Sequence, residues 1–444
     1  MDRRTFIGTT GAAAALSIIK PGNADAIGLP FLKSGSDKPM AVEKGGTLAG
    51  KPLQQLCDEY VAALKEYKEF QLKWVVDPEY GGYCITTGWD GPPVNVNSKA
   101  AWYEGRGTQT FAYMYNNIDP DPRILEACRK SVEFTMKNYP EGDLFFPKTF
   151  RRDGTPGPRD VNLYGDIFIA HGFCEYSRIK GNEKYWDTAK QIITKCFRMY
   201  NQPGYNATPL TPKGTRYGGH CFILIKCITD MLDIKDDAEL KSISDWCIDH
   251  YQKYHWNPDI NLGNEEINFD FSRPNNELAN RAMLGHASEV LWMTANEAVR
   301  RKDKAMFDLC VTRFKRTLEV AWDDVYGGVF TVLSDVDKNV FDLGKVTWGQ
   351  VEALNGLTLI IEHTGDEWAK EYHNKLYKWV MAKLPLKPYG LPLWQDATGR
   401  KGDFVKRGET RRAENMHYPR QLMLSLLATQ RIMKRKGAIS GIFG

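Results

Sequence analysis

Two histidines lie in sequence settings that suit proton transfer at carbon. His286 falls in the segment Gly285–Glu289, and the three-residue spacing places its imidazole and the Glu289 carboxylate on one helix face. A neighbouring carboxylate raises the basicity of an imidazole and orients it. His417 comes two residues before Pro419, which favours a first helical turn, so His417 is predicted at a helix N-terminus. The helix dipole there favours the neutral, basic imidazole. The alternative for both is a buried histidine that only forms hydrogen bonds.

The six other histidines carry weaker signals. His171 is expected in a helix interior as a core residue. His220 follows Arg216-Tyr217-Gly218-Gly219 at the opening of a helix, where it could face a cavity. The remaining four are expected near helix ends or on charged faces: His250, His255, His363 and His373.

Two predicted helix starts supply counter-charges and aromatic rings. The segment 102–106 reads Trp-Tyr-Glu-Gly-Arg, and Arg106 shares a helix face with Thr110 and Tyr113. A second start, from Lys345, carries three side chains that could stack on a sugar ring and hydrogen-bond to it: Trp348, Gln350 and Glu352. A wedge of packing aromatics is the alternative interpretation.

Composition limits the classes of protein that need to be considered. Hydrophobic residues make up 42% of the 444 residues and charged residues 26%, which excludes wholesale disorder. The net charge of +4 is too balanced for an electrostatic nucleic-acid binder. The nine cysteines form no CxxC pair and do not lie at metal-ligand spacing from histidines. We therefore expect no disulfide framework, no structural zinc and no cofactor.

The N-terminus has the order of an export signal. Arg3-Arg4, a short apolar stretch and Ala24-Asp25-Ala26 resemble a twin-arginine signal peptide over residues 1–26. The apolar run is shorter than the roughly 20 residues of a spanning helix. We expect a periplasmic or otherwise exported protein of bacterial type, with no membrane association after signal removal. The alternatives are a disordered N-terminus and an uncleaved anchor.

From Lys51 onward, helical periodicity dominates. About twelve amphipathic stretches of ordinary helix length follow one another, joined in pairs by short turns. The turn Asp77-Pro-Glu-Tyr-Gly-Gly recurs as Asp323-Asp-Val-Tyr-Gly-Gly after another long helix. Six helical hairpins in a closed ring fit this pattern, so we predict an all-α (α/α)6 barrel over residues 51–436. Residues 27–50 are expected to be loosely ordered and residues 437–444 to form a tail.

These residues together resemble the N-acylglucosamine 2-epimerase superfamily, which includes cellobiose 2-epimerases and aldose–ketose isomerases. The resemblance rests on the Gly285–Glu289 segment, the Lys345–Glu352 segment, the two Tyr-Gly-Gly turns and the closing His417-x-Pro-Arg420. It spans Asp77 to Arg420 and implies the same (α/α)6 barrel. The implied activity is epimerisation or isomerisation of a reducing mono- or disaccharide.

The resemblance also implies roles for individual residues. His286 and His417 would be the general acid/base pair, and Arg106, with Tyr115 nine residues later, the cationic partner of a sugar oxygen. Glu289 would assist ring opening or tune His286. The implied substrate contacts are Trp348 as a stacking platform and His220 in the pocket wall. From their positions in the sequence, further candidate substrate contacts are Tyr103, Gln350, Glu352 and Arg216.

Two positions depart from the pattern of the superfamily. Thr347-Trp348 stands where two adjacent tryptophans are usual, and Arg216 replaces an asparagine four residues before the pocket histidine. Both changes concern substrate contacts rather than the acid/base pair. The extra cation at Arg216 would suit an acidic sugar.

Two other functions remain open from the sequence. A glycoside hydrolase or polysaccharide lyase on the same barrel is the first, and a hydrolase would need two opposed carboxylates, for which Asp270, Glu265 and Glu266 are available. The second is a non-catalytic carbohydrate-binding protein, since a fold alone does not fix a function. For the isomerase, a small carbohydrate is the expected partner, nucleic acid is not expected, and a homodimer is left open.

Overall fold

The computed structural model describes residues 39–94, 96–205, 211–391, 393–406 and 408–444. The predicted signal peptide, residues 1–26, lies outside the described residues, so export stays a prediction. Pro39–Gly444 form one compact unit. Among the described helices, none has both the length and the apolar character that a membrane span requires.

Twelve α-helices account for most of the described chain, as the periodicity predicts. In chain order they are α1 (Leu53–Trp74), α2 (Ala101–Asn117), α3 (Pro122–Met136), α4 (Tyr164–Ser177), α5 (Lys184–Tyr200), α6 (Gly218–Leu232), α7 (Ala238–His250), α8 (Leu284–Arg301), α9 (Lys304–Ala321), α10 (Thr347–Thr364), α11 (Glu367–Lys383) and α12 (His417–Lys434).

The even-numbered helices form a closed inner ring. Each packs against the next, from α2 through α4, α6, α8 and α10 to α12, and α12 packs against α2. The odd-numbered helices lie outside, with α1 on α12, α3 on α2, α5 on α4, α7 on α6, α9 on α8 and α11 on α10. The predicted (α/α)6 barrel is confirmed.

Burial explains which helices lie inside. Every residue of α6 is buried, as is every residue of α4 except Tyr164 at its start. The outer helices α5 and α9 instead keep one polar face in solvent. A helix that is apolar on all sides must lie inside the fold, whereas an amphipathic helix covers it.

Short antiparallel strand pairs occupy the connections between helices. The strands are β1 (Thr47–Leu48), β2 (Lys51–Pro52), β3 (Thr86–Gly88), β4 (Lys99–Ala100), β5 (Thr149–Phe150), β6 (Arg216–Tyr217), β7 (Trp256–Asn257), β8 (Leu262–Gly263), β9 (Glu266–Ile267), β10 (Leu333–Asp335), β11 (Val340–Phe341), β12 (Lys345–Val346), β13 (Ala397–Thr398) and β14 (Thr410–Arg412). Strands β4, β6 and β12 lead directly into inner helices. Strand β14 pairs with β3, with Arg412 opposite Thr86, and so joins the last connection to the first.

The repeated Tyr-Gly-Gly turn forms an equivalent ionic clamp in each half of the ring. In the first half, Lys99 Nζ donates to Asp77 Oδ2 at 3.0 Å, and Arg152 Nε donates to the same oxygen at 2.8 Å. Gly81 and Gly82 have φ angles of +78° and +76°, a backbone conformation that favours glycine. The clamp fixes the turn against β4, from which α2 begins.

In the second half, Lys345 Nζ donates to Asp323 Oδ2 at 2.8 Å, and Arg400 donates to both oxygens of Asp323 at 3.1 Å. The lysine and aspartate side chains are fully buried. Gln350 then bonds to the strand-like segment that follows the turn, accepting from Val329 N at 2.8 Å. This clamp fixes the start of α10.

Replacing Asp323 by alanine should therefore destabilise the fold strongly. The change leaves the buried ammonium of Lys345 without its carboxylate, and loss of one partner of a buried pair costs about 3–5 kcal/mol. Urea denaturation monitored by circular dichroism measures the effect. Lys338→Ala is the control, because its pair with Asp335 is exposed and should contribute less than about 1 kcal/mol. Equal destabilisation by the two variants would contradict a clamp role.

The ring also includes residues on either side of the predicted catalytic domain. Ala41 and Val42 are buried, and Val42 N donates to Gly437 O at 3.1 Å. Phe443 packs against Phe307 on α9, with ring centroids 4.8 Å apart. Residues 39–50, part of the segment expected to be loosely ordered, and residues 437–444, expected to form a tail, both pack against the barrel with apolar side chains.

Candidate functional site

A cavity of about 240 Å³ lies inside the inner ring. Its apolar and aromatic wall consists of Trp102, Tyr164, Phe168, Phe222, Ile223, Met293, Trp348 and Met416. Its polar wall consists of Arg106, His171, Lys226, His286, Glu289, Arg412, His417 and Arg420. Most of these residues come from the N-terminal halves of the six inner helices and from the segment before α12. The positive ends of six helix dipoles therefore point toward one cavity, which favours a ligand that carries or develops negative charge.

His286 is the first of the two predicted proton-transfer residues, and it lines this cavity from α8. Its Nδ1 is 3.0 Å from Glu265 Oε1, which also accepts a hydrogen bond from Gly219 N at 3.1 Å. Burial lowers the pKa of His286, but the charge and hydrogen bond of Glu265 raise it more, so the net pKa is raised. Its Nε2 is left for a ligand. The carboxylate that supports His286 is therefore Glu265, rather than the predicted Glu289.

His417 is the second, and it lines the cavity at the start of α12, as its proline signal predicts. Its Nδ1 is 2.8 Å from Glu352 Oε1, which also accepts a hydrogen bond from Arg420. Burial lowers the pKa of His417, the Arg106 charge lowers it further, and the net value is about 4. His417 is therefore neutral at pH 7 and can accept a proton.

The two imidazoles thus share one arrangement but have opposite electrostatic settings. In each, a carboxylate holds Nδ1 and leaves Nε2 for chemistry, as in supported catalytic histidines. The pKa of His286 is raised above its ordinary value, whereas that of His417 is lowered. Two titratable groups with pKa values shifted apart in one cavity form a natural acid and base.

Trp348 lies between the two histidines. Its ring centroid is 5.4 Å from that of His286 and 6.1 Å from that of His417. A Cβ atom on Gly285 would lie 2.5 Å from the edge of this indole, so a glycine at this position of α8 is required for the tryptophan to fit. The indole therefore forms a rigid floor between the two candidate proton-transfer groups, and a sugar ring could stack on it.

Arg106 lines the cavity with little compensation for its charge. Its guanidinium carbon lies 5.0 Å from the ring centroid of Trp102 and 4.3 Å from that of Phe168. Its Nε has no hydrogen-bond partner among the described residues. Burial lowers the pKa of Arg106 to about 10, although the charge of Glu414 opposes this effect. A buried cation with free donors is suited to a developing oxyanion.

Glu289 contributes the one carboxylate in the described cavity wall. Burial raises its pKa, and the nearby negative charge of Glu352 raises it further. Arg420 lies 3.5 Å from one of its oxygens. Its carboxyl is therefore biased toward the protonated form, which can donate a hydrogen bond or a proton to a sugar oxygen.

Three charged residues of the cavity wall, Lys226, Arg412 and Arg420, were not predicted from the sequence. Lys226 donates to Asp230 at 2.5 Å, and the other oxygen of Asp230 lies 2.7 Å from His171 Nε2. Arg412 donates to Glu414 at 2.8 Å, in the segment before α12. His171 was assigned to the core because it is mid-helix, and it is indeed buried while its edge reaches the cavity. The four-residue spacing of Lys226 and Asp230 was the available signal.

Several predicted substrate contacts lie elsewhere. Gln350 is buried in the second clamp, and Glu352 lies behind His417 as its supporting carboxylate. Tyr103 is next to the cavity wall, where its hydroxyl accepts from Arg412 at 3.3 Å. None of the three is among the described residues of the cavity wall. Gln350 and Glu352 are turned away from the cavity because they satisfy polar groups between helices.

His220 and Arg216, which were also predicted to contact the substrate, are not among the described residues of the cavity wall. His220 is fully buried among tyrosine rings, at 4.6 Å from the ring centroid of Tyr164 and 5.4 Å from that of Tyr200. Arg216 donates to Phe269 O at 3.0 Å and to Asn201 Oδ1 at 3.1 Å. Both therefore belong to packing between α5, α6 and the loop after α7. An argument for an acidic sugar from Arg216 no longer holds.

One group of the site has donors close enough for a metal ion. Ligand atoms of Glu289, Glu352 and His417 lie within 4.8 Å of one another. Arg420 already donates to Glu352 and lies 3.5 Å from Glu289. The guanidinium thus supplies the positive charge that these carboxylates need.

Comparisons with known proteins agree with this architecture. The family model described as N-acylglucosamine 2-epimerase (GlcNAc 2-epimerase) matches residues 227–413, which confirms the resemblance seen in the sequence. Over these residues the chain is similar to that family. A cellobiose 2-epimerase from Dictyoglomus turgidum is 22% identical over 304 residues, covering 63% of this chain and 75% of that protein.

Two solved structures share the fold of this chain. The cellobiose 2-epimerase from Spirochaeta thermophila superposes with a TM-score of 0.74 at 16% identity, covering 86% of this chain and 98% of that one. A D-mannose isomerase superposes with a TM-score of 0.70 at 15% identity, covering 85% of this chain and 98% of that one. Because the identities are this low, the similarity shows only that the chains share the barrel fold.

Proposed function

We propose that the protein is a sugar 2-epimerase or aldose–ketose isomerase acting on a reducing mono- or disaccharide. The family match and the cellobiose 2-epimerase relative support a carbohydrate isomerase or epimerase as the class of enzyme. The observation that carries the proposal is the pair of carboxylate-supported imidazoles, His286 and His417, both beside Trp348 in one cavity.

The chemistry begins with opening of the sugar ring, which exposes the C1 aldehyde and acidifies the proton on C2. Glu289, biased toward its protonated form, would donate to the ring oxygen while the O1 hydroxyl releases its proton to water, and closure of the product ring reverses both transfers. Neutral His417 then removes the C2 proton through Nε2. The electron pair left on C2 delocalises to O1, and Arg106 stabilises the resulting enediolate.

Return of a proton decides the product. His286, whose raised pKa favours its protonated form, donates to the opposite face of C2 and gives the epimer. Donation to C1 instead gives the ketose, with the O2 proton passing to O1 as the C2 carbonyl forms. In both cases one proton leaves carbon and one returns, so the net charge of the pair is unchanged.

A hydrolase receives less support from the geometry. Glu265 is bound to His286, Glu266 accepts from Arg281 at 2.7 Å, and Asp270 is an exposed loop residue. None of the three lines the described cavity wall, whose single carboxylate is Glu289. Two opposed carboxylates on one substrate are therefore missing from the described cavity.

The direct test is incubation of the protein with a panel of reducing mono- and disaccharides in deuterated water, followed by NMR. Deuterium at C2 of the recovered sugar, with formation of the epimer or the ketose, supports the proposal. Release of new reducing ends from an oligosaccharide without C2 deuteration would establish hydrolysis instead. Binding of a sugar without either change would establish a non-catalytic protein.

We predict a bell-shaped dependence of kcat/KM on pH. Activity should rise with pH as His417 loses its proton, around its pKa of about 4, because the base must be neutral. It should fall as pH passes the raised pKa of His286, because the acid must be protonated. Initial rates across the pH range on a responsive sugar measure both limbs.

Glu265→Gln should shift the alkaline limb of the pH profile and leave the acid limb unchanged. The amide still accepts from Gly219 N but removes the charge that raises the pKa of His286, leaving burial to lower it. The alkaline limb should move to lower pH, and a shift of one unit would cost about tenfold in rate on that limb. The acid limb should stay in place, since Glu352 supports His417. An unchanged alkaline limb would show that His286 is not the acid.

A further inference from the structure

A second cluster of potential ligands lies outside the cavity, between α6 and the turn after α7. Ligand atoms of Cys221, His250 and His255 lie within 4.8 Å of one another, and all three side chains are buried. His255 ends a π-helical turn, Tyr251–His255, and such turns often mark functional positions. Sequence spacing could not reveal this cluster, because Cys221 is on a different helix from the histidines.

The ring nitrogens of the cluster are oriented as in metal sites but have no protein partner. His255 Nδ1 lies 2.9 Å from the carbonyl oxygen of Asn264, so Nδ1 carries the proton and Nε2 carries the lone pair. His255 Nε2 and both nitrogens of His250 are buried without a hydrogen-bond partner among the described residues. Unsatisfied buried polar atoms are rare and call for an explanation.

Aromatic rings surround both imidazoles, and Tyr251 stacks on His255 with ring centroids 5.5 Å apart. The indole of Trp246 stacks on His250, with centroids 4.4 Å apart, and fixes its ring plane. The histidines were expected near helix ends or on charged faces, but they are buried beneath aromatic rings.

We propose that Cys221, His250 and His255 bind a thiophilic divalent cation, with Zn²⁺ as the best match. A cysteine sulfur and two imidazoles are typical zinc ligands. Cys247 lies next to Cys221, outside this group of three. On binding, the Cys221 thiol loses its proton to solvent as the sulfur–metal bond forms.

Such an ion would connect the outer layer to the candidate site. The main chain passes from His255, through the β7–β8 hairpin, to Asn264 and Glu265, which supports His286. Fixing His255 to α6 would therefore hold Asn264 and, one residue further, the carboxylate on which the acid depends. The role is structural, and the proposal stands whether or not the proposed sugar chemistry is correct.

The experiment uses the full chain, denatured in chelator and refolded with Zn²⁺ or Co²⁺, because the cluster is buried in the folded protein. Elemental analysis should find about one tightly held ion per chain. The Co²⁺-loaded protein should show thiolate-to-metal charge-transfer absorption. Cys221→Ser should remove that absorption, and both Cys221→Ser and His255→Gln should lose the ion. His417→Ala should keep it, because His417 belongs to the cavity.

Two control variants separate ion binding from damage to the core. Cys227→Ser changes another fully buried cysteine of α6, and His373→Gln changes a buried histidine on α11 whose ring nitrogens also have no partner among the described residues. Both should retain the ion and its spectrum. A wild-type chain that refolds without binding Zn²⁺ or Co²⁺, or binding that survives both Cys221→Ser and His255→Gln, would overturn the proposal.

Discussion

His417→Ala should lower kcat by 10²–10⁴-fold, the range for loss of a general base, while KM changes little. The variant should fold, because Glu352 keeps other partners when the imidazole is removed. Its oxygens still accept from Arg420, from Trp292 at 3.0 Å and from Asn355 at 3.1 Å. Initial rates and the melting temperature of the same preparation measure the two effects.

Deuterium exchange distinguishes a base from a structural residue. If His417 removes the C2 proton of one epimer, His417→Ala should abolish exchange into that epimer and leave exchange into the other, which depends on His286. His286→Ala should show the reverse. The matched control is His363→Gln, on the same helix as Glu352 but bonded to Ser440 far from the cavity, which should keep wild-type exchange. Equal loss from both epimers would exclude separate bases.

Arg106→Met should lower kcat/KM by about 10²–10³-fold, the range for loss of one oxyanion-stabilising donor. The same change should raise the stability of the folded chain. Burial lowers the pKa of Arg106, so the charged guanidinium is disfavoured in the folded state relative to the unfolded state at neutral pH. A methionine of similar length fills the space without that cost.

Lys226→Met is the matched control for the predicted gain in stability of Arg106→Met. Lys226 also lines the cavity, but it donates to Asp230, so Lys226→Met should destabilise the chain. Arg106→Met should in addition raise the pKa of His417, because the Arg106 charge helps to lower it, and should move the acid limb of activity to higher pH. Urea midpoints and pH profiles test both effects. Retained activity in Arg106→Met would contradict its role as an oxyanion stabiliser.

The helices could be predicted from the sequence because their signals are local. A twelve-helix pattern follows from apolar spacing, and Pro419 located the start of α12 correctly at His417. The apolar spacing that predicts α8 begins near residue 279, whereas the helix begins at Leu284. Residues Glu277–Asn280 form a separate 3-10 turn there, which has the same polar-apolar pattern as a helix start.

The site was harder to predict because spacing does not reveal which face of a helix points inward. His286, His417, Arg106, Glu289 and Trp348 were placed correctly in one cavity. The prediction for His220 was wrong. Its ring packs among tyrosines, whereas Phe222 and Lys226 of the same helix line the cavity. The supporting carboxylates Glu265 and Glu352 come from other elements, so their pairing depends on tertiary contacts.

The pairing of β3 with β14 has a consequence for biosynthesis. These strands are more than 300 residues apart along the chain, and α12, which supplies His417 and Arg420, follows β14 directly. A nascent polypeptide halted before this point would hold five inner helices with two unsealed edges and only one of the two imidazoles. The pair of imidazoles is therefore completed last, when β14 pairs with β3. Because this contact joins segments far apart in the sequence, we expect ring closure to be the slow step of folding.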